Sequence, residues 1–194
     1  MRTIQQVLEY YALSSFDLNE RYNVVSIEDF CGGFNKDNWE ELKRFKCGNE
    51  SRERFIAQSA FYYSIEFEGN TSLVLNKDNK VIAYFTLVQM EIRFPHSTFP
   101  CMEIARIATH SSNQRQGIGS YLISKIKKIA IQTNRRFLTL DAIKSRYEWY
   151  NKHNFLPIKE EEVYDTETKM VYMYHDLYDE DIVETFLDTG GHTP

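Results

Sequence analysis

The stretch from Ile104 to Leu122 carries the clearest chemical pattern in the chain. An apolar run that ends at Thr109 predicts a strand, and Gly117 and Gly119 lead into an amphipathic helix. A loop between a strand and a helix N-terminus points backbone N–H groups, and the positive end of the helix dipole, at one place. Such a place binds phosphate, and it suits acyl transfer if a thioester is held beside the strand.

Two common nucleotide-binding motifs do not fit this loop. A dinucleotide fingerprint needs a third glycine where the chain has Leu122. A P-loop needs Gly-Lys-Ser/Thr, but Ser120 and Tyr121 follow Gly119. A plain turn between a strand and a helix stays open as an interpretation of the glycine pair.

The segment Gln114-Arg115-Gln116-Gly117-Ile118-Gly119 resembles the Gln/Arg-x-x-Gly-x-Gly/Ala loop of the general N-acetyltransferase (GNAT) superfamily. The resemblance implies acetyl-CoA as cosubstrate, no metal, and a mixed, splayed central sheet flanked by helices. In that superfamily the strand before the loop pairs with the pantetheine arm, and the loop N–H groups hold the pyrophosphate. The cofactor-binding positions implied here are Ile107, Ala108, Thr109, Gln114, Arg115, Gln116, Gly117, Ile118, Gly119 and Ser120.

The segment from Arg146 to Phe155 is similar to the GNAT helix end Ala-x-x-x-Tyr-x-x-x-Gly-Phe, whose tyrosine is the usual general acid. By this resemblance Tyr150 returns a proton to the leaving thiolate, since a phenol of pKa ~10 is matched to a thiolate of pKa ~8.5. Arg146 and Asn154 depart from the pattern, although Asn tolerates a left-handed helix end. A packing role for Tyr150 and catalysis by Tyr147 stay open.

Glu103 matches by position the base glutamate of the histone-acetylating branch of the superfamily. It is expected on one face of its strand with Ala105 and Ile107, and a carboxylate among apolar residues needs a partner or a function. The alternative is an ion pair with Arg106 or Arg93. Water and His110 are further candidates for the base.

A second resemblance covers Phe45-Lys46-Cys47-Gly48-Asn49-Glu50, which is similar to Phe-Asp-Cys-Gly-Asn in the acetyltransferase toxins of toxin–antitoxin pairs. Lys46 replaces the usual Asp. Ala83 to Leu87 resembles the Gly-Tyr-Tyr-Thr-Leu strand of those toxins, and Arg106 is shared with their Leu-Gly-Arg-Leu-Ala-Val segment. Those toxins acetylate amino acids carried on tRNA. Arg106 is therefore expected to contact RNA or a cofactor phosphate, or else to form a structural ion pair.

The composition bounds the class of protein. A chain of 194 residues predicts one acetyltransferase domain, residues 1–177, followed by an acidic tail, residues 178–194. A net charge of −5 argues against nucleic-acid binding, although the stretch from Lys125 to Lys152 is locally basic. Three scattered cysteines fit reduced thiols, and neither a membrane span nor a signal peptide is recognised, so a cytoplasmic protein is expected.

Strands that alternate with helices, together with a hairpin, predict an α/β (α+β mixed-sheet) fold. One helix is predicted over residues 4–13, and a second is predicted to begin with Asn38 as its cap. A third is predicted after Gly119, with its lysines pointing outward. A loop bracketed by Pro95 and Pro100 is predicted over the substrate side.

The sequence favours an N-acetyltransferase that moves acetyl from acetyl-CoA to a primary amine of a small molecule or protein, by direct transfer in a ternary complex. A toxin that acetylates aminoacyl-tRNA is the alternative, with tRNA less favoured because the chain is acidic. A non-catalytic acetyl-CoA-binding regulator is a third hypothesis, against which the intact Tyr150 argues. No membrane partner is expected, and a homodimer stays open.

Overall fold

A seven-stranded sheet forms the centre of the computed structural model, which describes residues 22–32 and 35–178. In chain order the strands are β1 (Asn23–Ser26), β2 (Asn70–Leu75), β3 (Val81–Phe94), β4 (Ser97–Thr109), β5 (Phe137–Ile143), β6 (Leu156–Pro157) and β7 (Met170–Asp176). Their order in the sheet is β1-β2-β3-β4-β5-β7-β6. Neighbouring strands are antiparallel except β4 and β5, which run parallel.

Helices pack on both faces of this sheet because its strands bury apolar side chains on each side. They are α1 (Ile27–Cys31), α2 (Lys36–Arg44), α3 (Glu50–Arg54), α4 (Ala60–Ile65), α5 (Ile118–Gln132), α6 (Tyr147–Asn151) and α7 (Glu161–Tyr164), with a π-helical turn, Phe55–Ser59, between α3 and α4. A smaller core joins α1, α2 and α4 to β2 and β3. A larger core joins α5 and α6 to β3, β4, β5 and β7. The predicted fold class is confirmed.

The strands β3 and β4 form one long antiparallel hairpin that closes at the pair Phe94–Ser97. The predicted loop from Pro95 to Pro100 is therefore wrong. Pro95 lies in the tight turn, and Pro100 lies inside β4. Pro100 precedes Cys101, the first residue of β4 that pairs with β5, so its missing N–H removes no hydrogen bond to β5.

Two predicted helix details are also wrong. The cap of α2 is Asn35, whose side chain accepts a backbone N–H of the first turn at 3.0 Å, whereas Asn38 lies inside the helix. The lysines of α5 do not all point outward, since Lys125 is only 6 % exposed. The predicted helix over residues 4–13 and the acidic tail from residue 179 onward lie outside the described residues.

Candidate active site

The parallel strands β4 and β5 separate after three paired residues. Pairing ends at Glu103 and Thr139, while both strands continue beyond that point. The register of β4 against β3 shifts at the same place and leaves Ala105 as an extra residue, which makes a β-bulge. The splayed sheet implied by the family resemblance is therefore present, and one edge of β4 faces an open gap.

The edge of β4 presents the backbone groups of Ile107 and Thr109 to this gap. In an antiparallel ladder, residues bonded to the partner strand alternate with residues whose N–H and C=O groups point away. The N–H of His110 donates to the carbonyl oxygen of Ile82 in front of β3 at 2.8 Å, so Ala108 also bonds toward β3. Ile107 and Thr109 therefore point their backbone groups into the gap, whereas the Ala108 side chain is buried in the smaller core.

The loop after β4 bends through two left-handed residues before α5 begins. Arg115 has φ 61° and Gly117 has φ 80°. Such turns aim successive backbone N–H groups at one point, and the first N–H groups of a helix have no intrahelical acceptor. Gln114, Gln116 and Ser120 are exposed like their neighbours in the loop, so this group of donors is accessible to an anion.

The two loop glycines have different roles. A Cβ on Gly117 would meet nothing within 4 Å, but the positive φ of Gly117 favours glycine. A Cβ on Gly119 would lie 3.1 Å from the Trp149 indole, so Gly119 lets α5 pack closely against α6. Ile118, between them, is only 2 % exposed and anchors the start of α5 in the larger core.

The side chain of Gln114 binds within the protein. Its Nε2 donates to the carbonyl oxygens of Cys47 and Thr109 at 3.1 and 3.3 Å. The backbone N–H of Ser111 donates to the carbonyl oxygen of Lys46 at 2.7 Å. These hydrogen bonds join the loop to the segment that resembles the acetyltransferase toxins.

The carboxylate of Glu53 in α3 organises that segment. Its Oε1 accepts the backbone N–H groups of Cys47 and Gly48 at 3.0 Å each, and its Oε2 accepts the Lys46 ammonium at 3.1 Å. The bond from the Cys47 N–H, followed by the bond from Lys46, holds the pKa of Glu53 below its usual range. This ion pair gives Lys46 a structural role where the toxins have Asp.

Tyr150, the predicted acid, lies in α6 and is 8 % exposed. Its ring contacts those of Trp149 and Phe155, with centroids 4.8 and 6.0 Å away. Burial raises the pKa of Tyr150, and Arg52 and Arg146 oppose that rise. No hydrogen bond joins the Tyr150 hydroxyl to another of the described residues. A protonated phenol with a spare O–H donor is the form that a general acid requires.

The end of α6 has the predicted conformation. Asn154 has φ 64°, so it takes the left-handed position that glycine occupies in the family pattern.

Tyr147, the alternative candidate for the general acid, lies at the margin of the larger core and is more exposed than Tyr150. Burial, and then the nearby Glu148, raise the pKa of Tyr147.

Glu103 is half-buried at the last paired position of β4 and β5. The prediction that Glu103 shares a face of β4 with Ile107 is wrong, because the bulge at Ala105 shifts the alternation of side chains along the strand. Glu103 lies on the same face as Arg106, while Ile107 packs against the larger core on the other face. Burial, and then the carboxylate of Asp141, raise the pKa of Glu103, and Arg106 opposes the rise. No salt bridge joins Glu103 to an arginine within residues 22–32 and 35–178.

A cleft of about 150 Å³ opens where β4 leaves β5, and we call it the arginine cleft. It is lined by Asn49, Ser51, Arg52, Ala105, Arg106 and Ile143. Sequence reasoning missed Arg52, because an arginine in a short charged helix matches no motif. A larger hollow of about 590 Å³ lies along the β3–β4 hairpin, and none of the predicted catalytic or cofactor residues lines it.

The described residues hold no group of three or more His, Cys, Asp or Glu side chains arranged to bind a metal ion. The cysteines Cys31, Cys47 and Cys101 are free thiols. Within the same part of the chain, no helix has both the length and the apolar character needed to cross a membrane.

The sequence from residue 36 to 155 matches the model of the acetyltransferase (GNAT) family, and the chain belongs to that family. It is an acetyl-CoA-dependent N-acetyltransferase by this membership, as the strand, the loop and the Tyr150 helix predicted. No curated protein matches the sequence significantly.

Several solved structures share the fold at low sequence identity. AtaTR bound with acetyl-CoA has 17 % identity and a TM-score of 0.61, covering 85 % of this chain and 98 % of that one. The KacTA–DNA complex has 16 % identity and a TM-score of 0.64, covering 87 % and 99 %. AtaT complexed with acetyl-methionyl-tRNAfMet has 14 % identity and a TM-score of 0.59, covering 86 % and 99 %.

Proposed function

We propose that this protein acetylates the α-amino group of an amino acid esterified to tRNA, by direct transfer from acetyl-CoA in a ternary complex. The sequence alone favoured a small-molecule or protein amine, chiefly because the net charge is −5. The observation that carries the revised acceptor is local: two arginines, Arg52 and Arg106, line the cleft where the strands separate.

The geometry of the backbone supports the proposed placement of acetyl-CoA. The N–H and C=O groups of Ile107 and Thr109 face the gap and suit the amide groups of the pantetheine arm. The N–H groups from Arg115 to Ser120 suit the pyrophosphate, because left-handed turns and helix N-termini bind anions. The thioester is then held between β4 and β5.

Tyr150 and Glu103 divide the proton transfers. The amine nitrogen forms a bond to the thioester carbon, and the C–S bond breaks. Tyr150 gives its proton to the departing thiolate, a role that suits a phenol kept protonated by burial, which raises the pKa of Tyr150. Glu103, at the point of strand separation, accepts the proton of the amine, directly or through water.

The local charge supports an RNA acceptor in spite of the acidic chain. Arg52 and Arg146 both lie close enough to Tyr150 to affect its pKa. Neither they nor Arg106 form a salt bridge with another described residue. AtaT, a structurally similar protein, has been complexed with acetyl-methionyl-tRNAfMet. Lys125, in contrast, is buried and adds little to a binding surface.

The test is a comparison of acceptors under one set of conditions. Labelled acetyl-CoA is supplied with a pool of charged tRNA, with the same pool deacylated, and with polyamines, free amino acids and lysine peptides. We expect the highest kcat/KM for charged tRNA and no label on deacylated tRNA. Faster transfer to a small amine or peptide than to charged tRNA would reject the proposed acceptor and leave the acetyltransferase chemistry intact.

A further inference from the structure

Arg106 projects from the free half of β4 into the arginine cleft. Its Nη1 donates to the carbonyl oxygen of Ala105 at 3.0 Å, and its guanidinium lies 4.8 Å from the centroid of the Phe55 ring. The stacking on Phe55 fixes the guanidinium plane. The two contacts leave Arg106 oriented without using its full set of donors.

One atom of that guanidinium is unsatisfied. Arg106 Nε is buried and is the only buried side-chain nitrogen or oxygen of the described residues that lacks a hydrogen-bond partner. A buried N–H of a charged group without an acceptor is costly, and most buried polar groups in folded proteins are paired. The same guanidinium lines the cleft, and its planar set of donors matches the geometry of phosphate and carboxylate oxygens.

Arg52 reaches the same cleft from the other side. Its backbone is held at both ends: its N–H donates to the Asn49 side chain at 3.0 Å, and its carbonyl oxygen accepts the Tyr84 hydroxyl at 2.8 Å. Both Arg52 and Arg106 lie close enough to Tyr84 to lower its pKa against the dominant effect of burial, which raises it. The backbone that carries the Arg52 side chain is therefore held in place by hydrogen bonds on both sides.

Arg106 lies on the face of the sheet opposite to α5, the helix that follows the cofactor loop. Arg106 stacks on Phe55, beside the smaller core that contains Tyr84. The helix α5, which follows the cofactor loop, packs into the larger core on the opposite face. An acceptor bound at Arg106 would therefore lie on the face of the sheet opposite to α5.

We infer, on the basis of the proposed function, that Arg52 and Arg106 together bind one phosphate oxyanion of the acceptor, the phosphodiester next to the aminoacylated terminal nucleoside. An amino acid esterified to tRNA has no free α-carboxylate, so for an uncharged side chain the nearest anion to its amine is that phosphate. The arginine cleft would thus select an amine by the anion that accompanies it.

The experiment compares two stable acceptor fragments that differ by one phosphate. They are 3′-aminoacylamino-adenosine with and without a 5′-monophosphate, whose amide link resists hydrolysis. For the wild-type protein we expect kcat/KM to be about tenfold or more higher with the phosphate, the size of one or two charge-assisted hydrogen bonds. Arg106→Gln and Arg52→Gln should each remove most of this preference, and Arg106→Lys should restore part of it.

The control is Arg54→Gln, which removes an exposed arginine of the same helix that does not line the cleft. It should keep the phosphate preference, and all variants should bind acetyl-CoA as the wild type does. Equal kcat/KM of the wild-type protein for both fragments would overturn the inference alone. An equal loss of kcat/KM for both fragments in Arg106→Gln would also overturn it, because Arg106 would then act on the reaction without contacting the phosphate.

Failure of the proposed function gives a different result. In that case the wild-type protein would acetylate neither fragment but would still acetylate a lysine peptide or polyamine in the same assay, and the inference would fall with the function. The wild-type comparison decides the question even if a variant does not fold.

Discussion

Replacing Tyr150 by Phe removes one hydroxyl and leaves the ring contacts with Trp149 and Phe155 in place. Because the hydroxyl bonds to no described residue, its loss should change the free energy of unfolding by less than about 1 kcal/mol. General acid catalysis contributes about 100- to 10,000-fold, so we expect kcat to fall at least about 100-fold. The affinity for acetyl-CoA should change little.

The assay is single-turnover acetyl transfer with saturating acetyl-CoA, measured with the favoured acceptor and paired with a urea unfolding curve. Tyr147→Phe is the matched control, since it removes a phenol hydroxyl one turn earlier in the same helix. Burial raises the pKa of Tyr150, so the loss of activity caused by its ionisation should begin above the ordinary phenol pKa of ~10. A fall in kcat below about threefold in a folded Tyr150→Phe protein, or an equal fall in Tyr147→Phe, would refute the acid assignment.

Three further predictions concern single residues. Since the pKa of Glu103 is raised, kcat/KM should fall as the pH drops through that raised value and the carboxylate is protonated. Glu103→Gln should abolish this fall at low pH. An unchanged fall in the variant would assign the base to water. Gly119→Ala should lower the free energy of unfolding by about 1 kcal/mol in urea, because the new Cβ would lie too close to Trp149. Gly32→Ala should leave it unchanged, because a Cβ there meets no atom within 4 Å. Equal effects of the two substitutions would contradict the packing role of Gly119. Glu53→Gln should lower the free energy of unfolding at neutral pH. Because the pKa of Glu53 is lowered by folding, the difference in free energy of unfolding between variant and wild type should shrink as the pH falls through the folded pKa. A difference independent of pH would contradict the role of this carboxylate in organising its segment.

The strand, loop and helix around the cofactor site were predictable because each local preference agrees with the fold. The apolar run up to Thr109, the glycine at 117 and the apolar stripe of α5 all specify the same arrangement. Asn154 was likewise predictable as a left-handed helix end. Local patterns of this kind depend only on backbone sterics and on the periodicity of burial.

The bulge at Ala105 was not predictable, and it moved Glu103 to the face of Arg106. Nothing in the identity of an alanine marks an extra residue, because a bulge is fixed by the register of two strands that lie far apart in sequence. Pro100 was misread for a related reason: whether a proline fits a strand depends on which neighbour pairs with it. Arg52 lies close enough to Tyr150 to affect its pKa, and this proximity comes from the tertiary structure and has no local signal in the sequence.

The central claim is that the acetyl group goes to an amino acid carried on tRNA. The most direct test is mass spectrometry of the terminal nucleoside released by ribonuclease from charged tRNA after incubation with acetyl-CoA and the protein. The predicted result is aminoacyl-adenosine heavier by one acetyl group on its α-amino nitrogen with the wild-type protein, and a product strongly reduced with Tyr150→Phe. Unmodified aminoacyl-adenosine, from a preparation that acetylates a peptide or polyamine in a parallel reaction, would contradict the account.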